Sequence, residues 1–209
     1  MQVAVMLAGL VTEMAGWWTV ASRRASVWQV MPIVLGAMGV AGVLARRPVW
    51  AGQVGAAAAI GLGVGAGLVL YVATRTFVWV ATWWEPFRVD VVRQYGYADE
   101  ASRAVRWTTS LGVMVPAEEL FWRGLFQSHL TSAWGVGTAA VVTWLAYVSG
   151  NSTSRSLSLI AGAVVGGGLW VALAWWSGGM LASLASHILW TGLMLAIPPG
   201  AGRAAGGSI

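Results

Sequence analysis

Residues 159–176 read LIAGAVVGGGLWVALAWW, a run that contains no ionisable side chain. A helix needs about 20 predominantly apolar residues to cross a bilayer, and a helix that is apolar on every face is a buried or membrane-spanning one. This run therefore predicts a transmembrane helix. Six further runs of similar character indicate about seven crossings. The predicted spans are Gln2–Ala21, Val27–Ala45, 49–73, 107–125, 134–150, 159–176 and 180–197.

The overall composition agrees with these spans. Hydrophobic residues make up 58% of the 209 residues and charged residues only 9%, whereas soluble domains carry about 25% charged residues. The mean hydropathy is +0.72. We predict an all-α, polytopic membrane helix bundle with one interfacial segment. Within this single membrane domain we distinguish N-terminal spans with a cytoplasmic amphipathic segment (1–106), a motif-bearing four-helix core (107–198) and a flexible tail (199–209).

The positive charge is distributed as membrane topology requires. The net charge is +5 and every cation is Arg, but the Arg residues occur singly or in pairs between apolar runs. This pattern does not favour nucleic acid as a partner. Nine loop Arg lie on one side of seven alternating spans and only Arg46 and Arg47 on the other, which predicts an N-out, C-in protein of the cell (plasma) membrane. The absence of Cys excludes disulfides, thiolate nucleophiles and Cys-based metal sites.

One charged stretch interrupts the apolar sequence. Residues 75–106 contain five Arg and four of the seven acids. Within this stretch, 77–84 is apolar but too short to cross, so we expect it to be interfacial or re-entrant. Tyr95 and Tyr97 are predicted to lie in an amphipathic segment on the membrane surface.

Glycines four residues apart are a further pattern. Examples are Gly61/Gly65, Gly63/Gly67 and Gly162/Gly166. This spacing is compatible with close packing of helices in lipid. With 28 glycines in the chain, many such pairs also arise by chance.

Three ionisable residues lie inside the fourth predicted span. Residues 116–126 read PAEELFWRGLF, and charges within a span default to a functional hypothesis. Glu119 and Arg123 are four residues apart, so they share a helix face and can pair. Glu118 is rotated about 100° from Glu119 and must face a different neighbour. A paired Glu119 is a candidate structural residue, and a less compensated Glu118 is a candidate general base.

The last predicted span supplies polar partners. It carries Ser183, Ser186, His187 and Thr191, of which His187 and Thr191 share a face. Counted along the helices, Glu118 lies about 16 Å and His187 about 15 Å from the same membrane side. The agreement indicates a shared site near the midplane. A hydrogen-bonded packing His and a structural Glu–Arg ion pair remain the alternatives.

The string Glu118-Glu119-Leu-Phe-Trp-Arg123 resembles the first motif, EExxxR, of the CAAX-protease and bacteriocin-processing (CPBP, or Abi) intramembrane protease family. His187-Ile-Leu-Trp-Thr191 looks like the third motif, HxxxN, with Thr in place of Asn. The resemblance implies that Glu118 activates a water together with a second-motif His. It also implies that His187, with a Thr191 hydroxyl, stabilises the oxyanion, and that Arg123 with Glu119 holds the helix in register.

The second motif of that family, FxxxH, departs from the pattern. Its expected place has Trp144 for Phe and Val148 for His, and a Val side chain moves no proton. Tyr147, Ser149 and Asn151 are near enough in sequence to substitute. Without that His, no metal and no cofactor is expected. The residues predicted to line a substrate cavity are Trp122, Trp144, Tyr147, Val148 and Trp190.

Three functions follow from these residues. The first is an intramembrane glutamic-type endopeptidase that acts on a membrane-bound or lipid-modified protein from within the lipid bilayer. The second, motivated by Val148, is a non-catalytic relative that serves as a membrane scaffold or chaperone; a polar group beside Glu118 argues against it, and a dry apolar pocket favours it. The third is a small transporter, for which the sequence shows no inverted repeat.

Overall fold

The computed structural model describes residues 1–199, and this part of the chain is an all-α membrane bundle without strands. Four of its helices are long and apolar enough to cross a membrane by length and composition, namely Gln2–Ala21, Val27–Ala45, Ala56–Ala81 and Leu157–Ser177. The predicted tail lies outside the described residues except for Pro199. The helices are α1 (Gln2–Ala21), α2 (Val27–Ala45), α3 (Ala56–Ala81), α4 (Glu85–Gly96), α5 (103–134), α6 (Val136–Ser152), α7 (Leu157–Ser177) and α8 (Leu181–Ala196).

The first two predicted spans are confirmed, and the bounds of the third are wrong. Helix α3 begins seven residues later than expected and continues through Arg75 to Ala81, so 77–84 is mostly the last part of a spanning helix and not a re-entrant segment. Arg75 does not end the helix, because its guanidinium turns back to donate to the Tyr71 hydroxyl at 3.1 Å. The polar link predicted at 151–158 is also shorter, since α6 reaches Ser152 and α7 starts at Leu157.

The segment before α3 docks on the turn between α7 and α8. Met180 N donates to Val49 O and Leu181 N to Trp50 O, both at 2.9 Å. The backbone N of Gln53 donates to Ser177 O. The backbone approaches so closely that a Cβ at Gly52 would lie 2.1 Å from Ser177 O. Residues 49–53 are therefore a strap that fixes the start of α8, and they are not part of a span.

Helix α5 is longer than the predicted span 107–125. It contains two π-helical stretches, Ser110–Met114 and Leu120–Gln127, which flank a short α-helical segment with both glutamates. Pro116 cannot donate to the helical ladder, and the first widened stretch precedes it. Widened turns of this kind occur frequently at functional sites because they alter which side chains share a face.

Small residues bring the helices together around α5 and α8. A Cβ on Gly63 of α3 would lie 2.3 Å from Ala182 O in α8, and one on Gly39 of α2 would lie 2.7 Å from Ala117 Cα in α5. By contrast, a Cβ on Gly61 or Gly65 would meet nothing within 4 Å. Close backbone contact thus fixes the two helices that carry the ionisable residues.

Successive long helices run in alternating directions, which gives the bundle two end faces. The N-terminus of α1 lies beside the C-terminus of α2, where the Gln2 amide donates to Ala45 O at 2.9 Å. The turn between α7 and α8 lies on the same face, because the strap joins it to the start of α3. The assignment of this face to the outside, and of the C-terminus to the cytoplasm, stays a prediction.

Helix α4 closes the opposite face. Phe87 and Val91 pack on Val78 of α3, and the buried Asp90 accepts hydrogen bonds from Ser156 and Ser158 at the start of α7. The Tyr95 hydroxyl donates to the carbonyl of Pro199. Burial raises the pKa of Tyr95 to about 12, so the hydroxyl stays neutral and keeps this donor role at ordinary pH. The amphipathic segment predicted here is therefore a helix tied to α3, α7 and the end of α8.

Candidate active site

Glu119 is the centre of a buried polar cluster. Its carboxylate is fully buried and lies 3.2 Å from Nη1 of Arg123, so the predicted ion pair is present. Oε1 also contacts Nδ1 of His187 at 2.9 Å, and Oε2 accepts from the Ser183 hydroxyl at 2.7 Å. Three groups from two helices thus satisfy one carboxylate, which is what a charge buried in a membrane bundle requires.

Glu118 faces a different neighbour, as its rotation from Glu119 predicts. The Tyr147 hydroxyl of α6 donates to Oε2 of Glu118 at 3.0 Å. Tyr147 is one residue before Val148, which occupies the place expected for a His. Of the three substitutes considered, Tyr147 makes this contact, while Ser149 Oγ donates to Leu145 O and Asn151 Nδ2 to Tyr147 O. A polar group therefore lies beside Glu118.

His187 is held on two sides. Its ring stacks on Trp170 of α7, with centroids 3.6 Å apart and an interplanar angle of 18°. Its Nδ1 contacts Glu119, not Glu118. The sequence predicts a common depth for Glu118 and His187, and His187 contacts Glu119, the neighbour of Glu118 in the chain. With Nδ1 occupied, the second ring nitrogen, Nε2, is left for a ligand in the cavity that His187 lines.

Arg123 joins α5 to α6 and α7. Its guanidinium lies 5.1 Å from the ring centroid of Tyr147 and 5.7 Å from that of Trp170, both at cation–π distance. Nη2 donates to the carbonyl of Gly167 at 3.4 Å. Arg123 therefore neutralises Glu119 and also packs against the aromatic side chains that hold Glu118 and His187.

A cavity of about 430 Å³ adjoins these residues, and its wall is mostly apolar. Glu118, Tyr147, His187 and Thr191 all line it. From these groups it extends between α3, α7 and α8 to α4, where Phe87 and Tyr95 contribute to its wall. It is a space in which an apolar chain can reach a carboxylate, a hydroxyl and an imidazole.

Two of the five predicted cavity residues line this space. They are Tyr147 and Trp190, and the Trp190 indole donates to the Thr74 hydroxyl of α3. Trp122 lies instead in the core behind Tyr147. Trp144 and Val148 do not line the cavity: the Trp144 indole donates to Val164 O of α7, and Val148 packs against the hydrophobic core. Proximity in sequence to the motif did not distinguish the two sides of α6.

Glu13 is a site residue that the motif reasoning missed. Its carboxylate in α1 is fully buried, and it accepts hydrogen bonds from Trp122 Nε1 and Asn151 Nδ2, both at 3.1 Å. Both donors contact Tyr147, since the Trp122 ring packs edge-on against its ring and Asn151 Nδ2 also donates to its carbonyl. The available signal was the isolated acid within the first span, a position where an acid has to find partners inside the bundle.

The donor set differs from that of a metal centre. Within residues 1–199, no group of three or more His, Cys, Asp and Glu side chains is placed to hold a metal ion. His129, at the far end of α5, is half-buried and does not line the cavity. That the protein works without a metal stays a prediction.

Comparison with known proteins agrees with this geometry. Residues 101–193 match the family described as type II CAAX prenyl endopeptidase Rce1-like. These residues are similar to the CAAX-protease family and are called the CAAX-protease segment below. The CAAX-protease segment contains α5, α6, α7 and most of α8, which carry Glu118, Glu119, Tyr147 and His187. Glu13 and the cavity wall from α3 and α4 lie outside it. No curated protein and no solved structure matches the chain.

Proposed function

We propose that this protein is an intramembrane endopeptidase that hydrolyses a peptide bond with a water activated by Glu118. The observation that carries the proposal is the shared cavity. Glu118, fixed by the Tyr147 hydroxyl, lines the same space as His187 and Thr191. A carboxylate that can take a proton, facing groups that can stabilise an anion, is the arrangement required for direct water attack.

The steps balance without a covalent enzyme intermediate. Tyr147 holds Oε2 of Glu118, so Oε1 is free to bind the attacking water. Glu118 takes a proton from that water as its oxygen attacks the carbonyl carbon of the scissile bond. The tetrahedral oxyanion is stabilised by His187 and Thr191, and the departing amine receives the proton from Glu118.

Glu119 and Arg123 position the oxyanion donor in this mechanism. Because Nδ1 of His187 donates to Glu119, neutral His187 has a bare Nε2, and only the imidazolium can donate from it. An ionised Glu119 stabilises that imidazolium. The role expected from the sequence, keeping the helix in register, is thereby extended to orienting His187.

The proposed substrate is a membrane-bound or lipid-modified protein. The mostly apolar wall between α3, α4, α7 and α8 suits a lipid chain or an unwound transmembrane segment. The cavity reaches the face closed by α4, which the topology prediction places on the cytoplasmic side. Cleavage near that side is therefore part of the proposal, as is residence in the plasma membrane.

Val148 favours a second candidate, a non-catalytic scaffold that retains the cavity. The hydroxyl beside Glu118 argues against it, because a binding cavity for an apolar chain needs neither a buried carboxylate nor a hydrogen bond that orients it. One experiment separates the two. The purified protein in liposomes is given a fluorogenic prenylated peptide, and cleavage is compared with that by Glu118→Gln.

If the protein is an endopeptidase, we expect the unaltered protein to cleave the peptide and Glu118→Gln to lose this cleavage. Both proteins should bind the peptide equally well. Binding without cleavage by both proteins supports the scaffold. Cleavage at an unchanged rate by Glu118→Gln contradicts the proposed mechanism.

A further inference from the structure

A second cavity, here called the vestibule, lies on the end face opposite α4. It has a volume of about 250 Å³ and shares no lining residue with the 430 Å³ cavity beside Glu118. Residues at the ends of α2, α5 and α7 line it, and so does the buried Arg123. The polar side chains that line it are Arg46, Arg123, Gln127, Ser128, Thr131 and Ser132.

The charge of the vestibule is of one sign. Two guanidinium groups line it, and among the described residues no carboxylate does. Arg46 is held in place from two directions, because its Nε donates to Ser128 Oγ at 2.9 Å and its Nη2 to Ser132 Oγ at 3.1 Å. Arg47, the next residue, is exposed and takes no part in the lining.

Two buried residues that line the vestibule each carry a polar atom without a hydrogen-bond partner in the described part of the chain. Arg123 is only 3% exposed, yet within residues 1–199 no group accepts a hydrogen bond from its Nε. Gln127 is 4% exposed, and its Nε2 donates to Val171 O. No group in the described part of the chain donates to its Oε1. Buried groups of this kind are almost always satisfied by a ligand or water. Both residues line the same cavity.

We propose that the vestibule binds a phosphate group. Guanidinium and hydroxyl donors are the usual ligands of phosphate oxygens. The Arg46 guanidinium and the Ser128 hydroxyl supply both kinds of donor, while the Ser132 hydroxyl donates to Ser128 O. Trp175 at the mouth is half-exposed, as Trp residues at the depth of lipid headgroups are. The phosphate can therefore come from a lipid headgroup or from solution.

The first test measures thermal unfolding of the purified full-length chain in detergent at fixed ionic strength. Titrations with inorganic phosphate and with short-chain phosphatidylglycerol are compared for the unaltered protein, Arg46→Gln and the matched control Arg47→Gln. A ligand that binds the folded state raises Tm in a saturable way. We expect this rise in the unaltered protein and in Arg47→Gln, and an apparent affinity weakened about tenfold or more in Arg46→Gln.

The outcomes separate the two sources of phosphate. A rise with both additives shows that a free phosphate is sufficient, and a rise with phosphatidylglycerol alone assigns the site to a lipid headgroup. Equal weakening by Arg46→Gln and Arg47→Gln, or no rise with either additive, overturns the proposal.

A second measurement does not depend on the stability of an Arg46 variant. Because the chain contains no Cys, Thr131→Cys places a single thiol in the vestibule, and Thr138→Cys places one on an exposed position of α6. We expect the anionic methanethiosulfonate reagent to modify Cys at 131 faster than the cationic one, and phosphate to slow only that reaction. A faster cationic reaction, or protection equal at both positions, contradicts the proposal.

Discussion

The Tyr147 hydroxyl donates a hydrogen bond of 3.0 Å to Oε2 of Glu118. This bond joins α6 to the segment of α5 between its two widened stretches. It fixes one oxygen of the carboxylate that is the proposed base and leaves the other for water. Tyr147 itself is held by the ring of Trp122 and by the guanidinium of Arg123.

Removing the hydroxyl tests its part in catalysis. Tyr147→Phe retains the ring and its packing but loses the bond to Glu118. We expect kcat to fall about 10- to 100-fold, as one hydrogen bond to a charged group accounts for, with little change in Tm. Ser149→Ala removes an outward-facing hydroxyl from the same helix and is expected to leave the rate unchanged. Equal rates for Tyr147→Phe and the unaltered protein would show that the bond is not used.

Breaking the buried ion pair should cost stability. Arg123→Met leaves the Glu119 carboxylate fully buried without its cation, so we expect a loss of about 3–5 kcal/mol of unfolding free energy. The double variant Glu119→Gln/Arg123→Met should recover part of this loss. Glu85→Gln, which removes the exposed Arg88–Glu85 pair, serves as control and should change stability by less than about 1 kcal/mol. The unfolding free energies of the three variants are measured by denaturation in detergent. A similar loss of stability in Arg123→Met and Glu85→Gln would contradict the conclusion that the Glu119–Arg123 pair is buried and the Glu85–Arg88 pair is not.

Glu13 should matter although it lies outside the CAAX-protease segment. Glu13→Gln replaces one of two acceptor oxygens by an amide that faces a donor, so we expect a loss of about 1–3 kcal/mol in stability and slower cleavage. Thr12→Val is the control, since the Thr12 hydroxyl donates only to Ala8 O of its own helix. If both variants cleave as fast as the unaltered protein, Glu13 does not support the site.

The contact between α3 and α8 depends on a particular glycine. A methyl group at Gly63 meets Ala182 O at 2.3 Å, whereas one at Gly65 meets nothing within 4 Å. We expect Gly63→Ala to lower the unfolding free energy by about 1–3 kcal/mol and Gly65→Ala to change it by no more than about 1 kcal/mol. Thermal unfolding of the two variants is the measurement. A greater loss in Gly65→Ala would mean that the two helices pack differently.

Cleavage should not depend on a metal ion. Within residues 1–199 no three His, Cys, Asp or Glu side chains are placed to bind one, and the proposed step needs only Glu118 and water. Incubation with EDTA or 1,10-phenanthroline is therefore expected to leave the rate unchanged. Loss of activity that returns on addition of a divalent ion would refute the metal-free mechanism.

Much of the fold could be predicted because hydropathy alone specifies membrane helices. The apolar runs identified α1 and α2 to the residue. The predicted end of α3 is wrong because a charged residue such as Arg75 usually marks the end of an apolar span, whereas here its guanidinium turns back to the Tyr71 hydroxyl. Among the glycine pairs, Gly63/Gly67 and Gly61/Gly65 look alike in sequence, and only the facing helix decides which pair packs.

The site was predictable where helical spacing determines contact. The spacing of four residues predicts the Glu119–Arg123 pair. The rotation of roughly 100° between successive helical residues predicts that Glu118 contacts a different side chain from Glu119. The residue of α6 that contacts Glu118 depends on the rotation of α6 about its own axis relative to α5. No local sequence pattern specifies this rotation. The same applies to Glu13, whose partners Trp122 and Asn151 are more than a hundred residues away in sequence.

The central claim is that Glu118 and Tyr147 act as one unit in activating water. The most direct measurement is a double-mutant cycle of kcat/KM on the prenylated reporter with Glu118→Gln, Tyr147→Phe and the double variant. We predict that the double variant is no slower than Glu118→Gln, because the hydroxyl acts only through the carboxylate. If the two losses multiply, or if Glu118→Gln cleaves at the unaltered rate, the claim is contradicted.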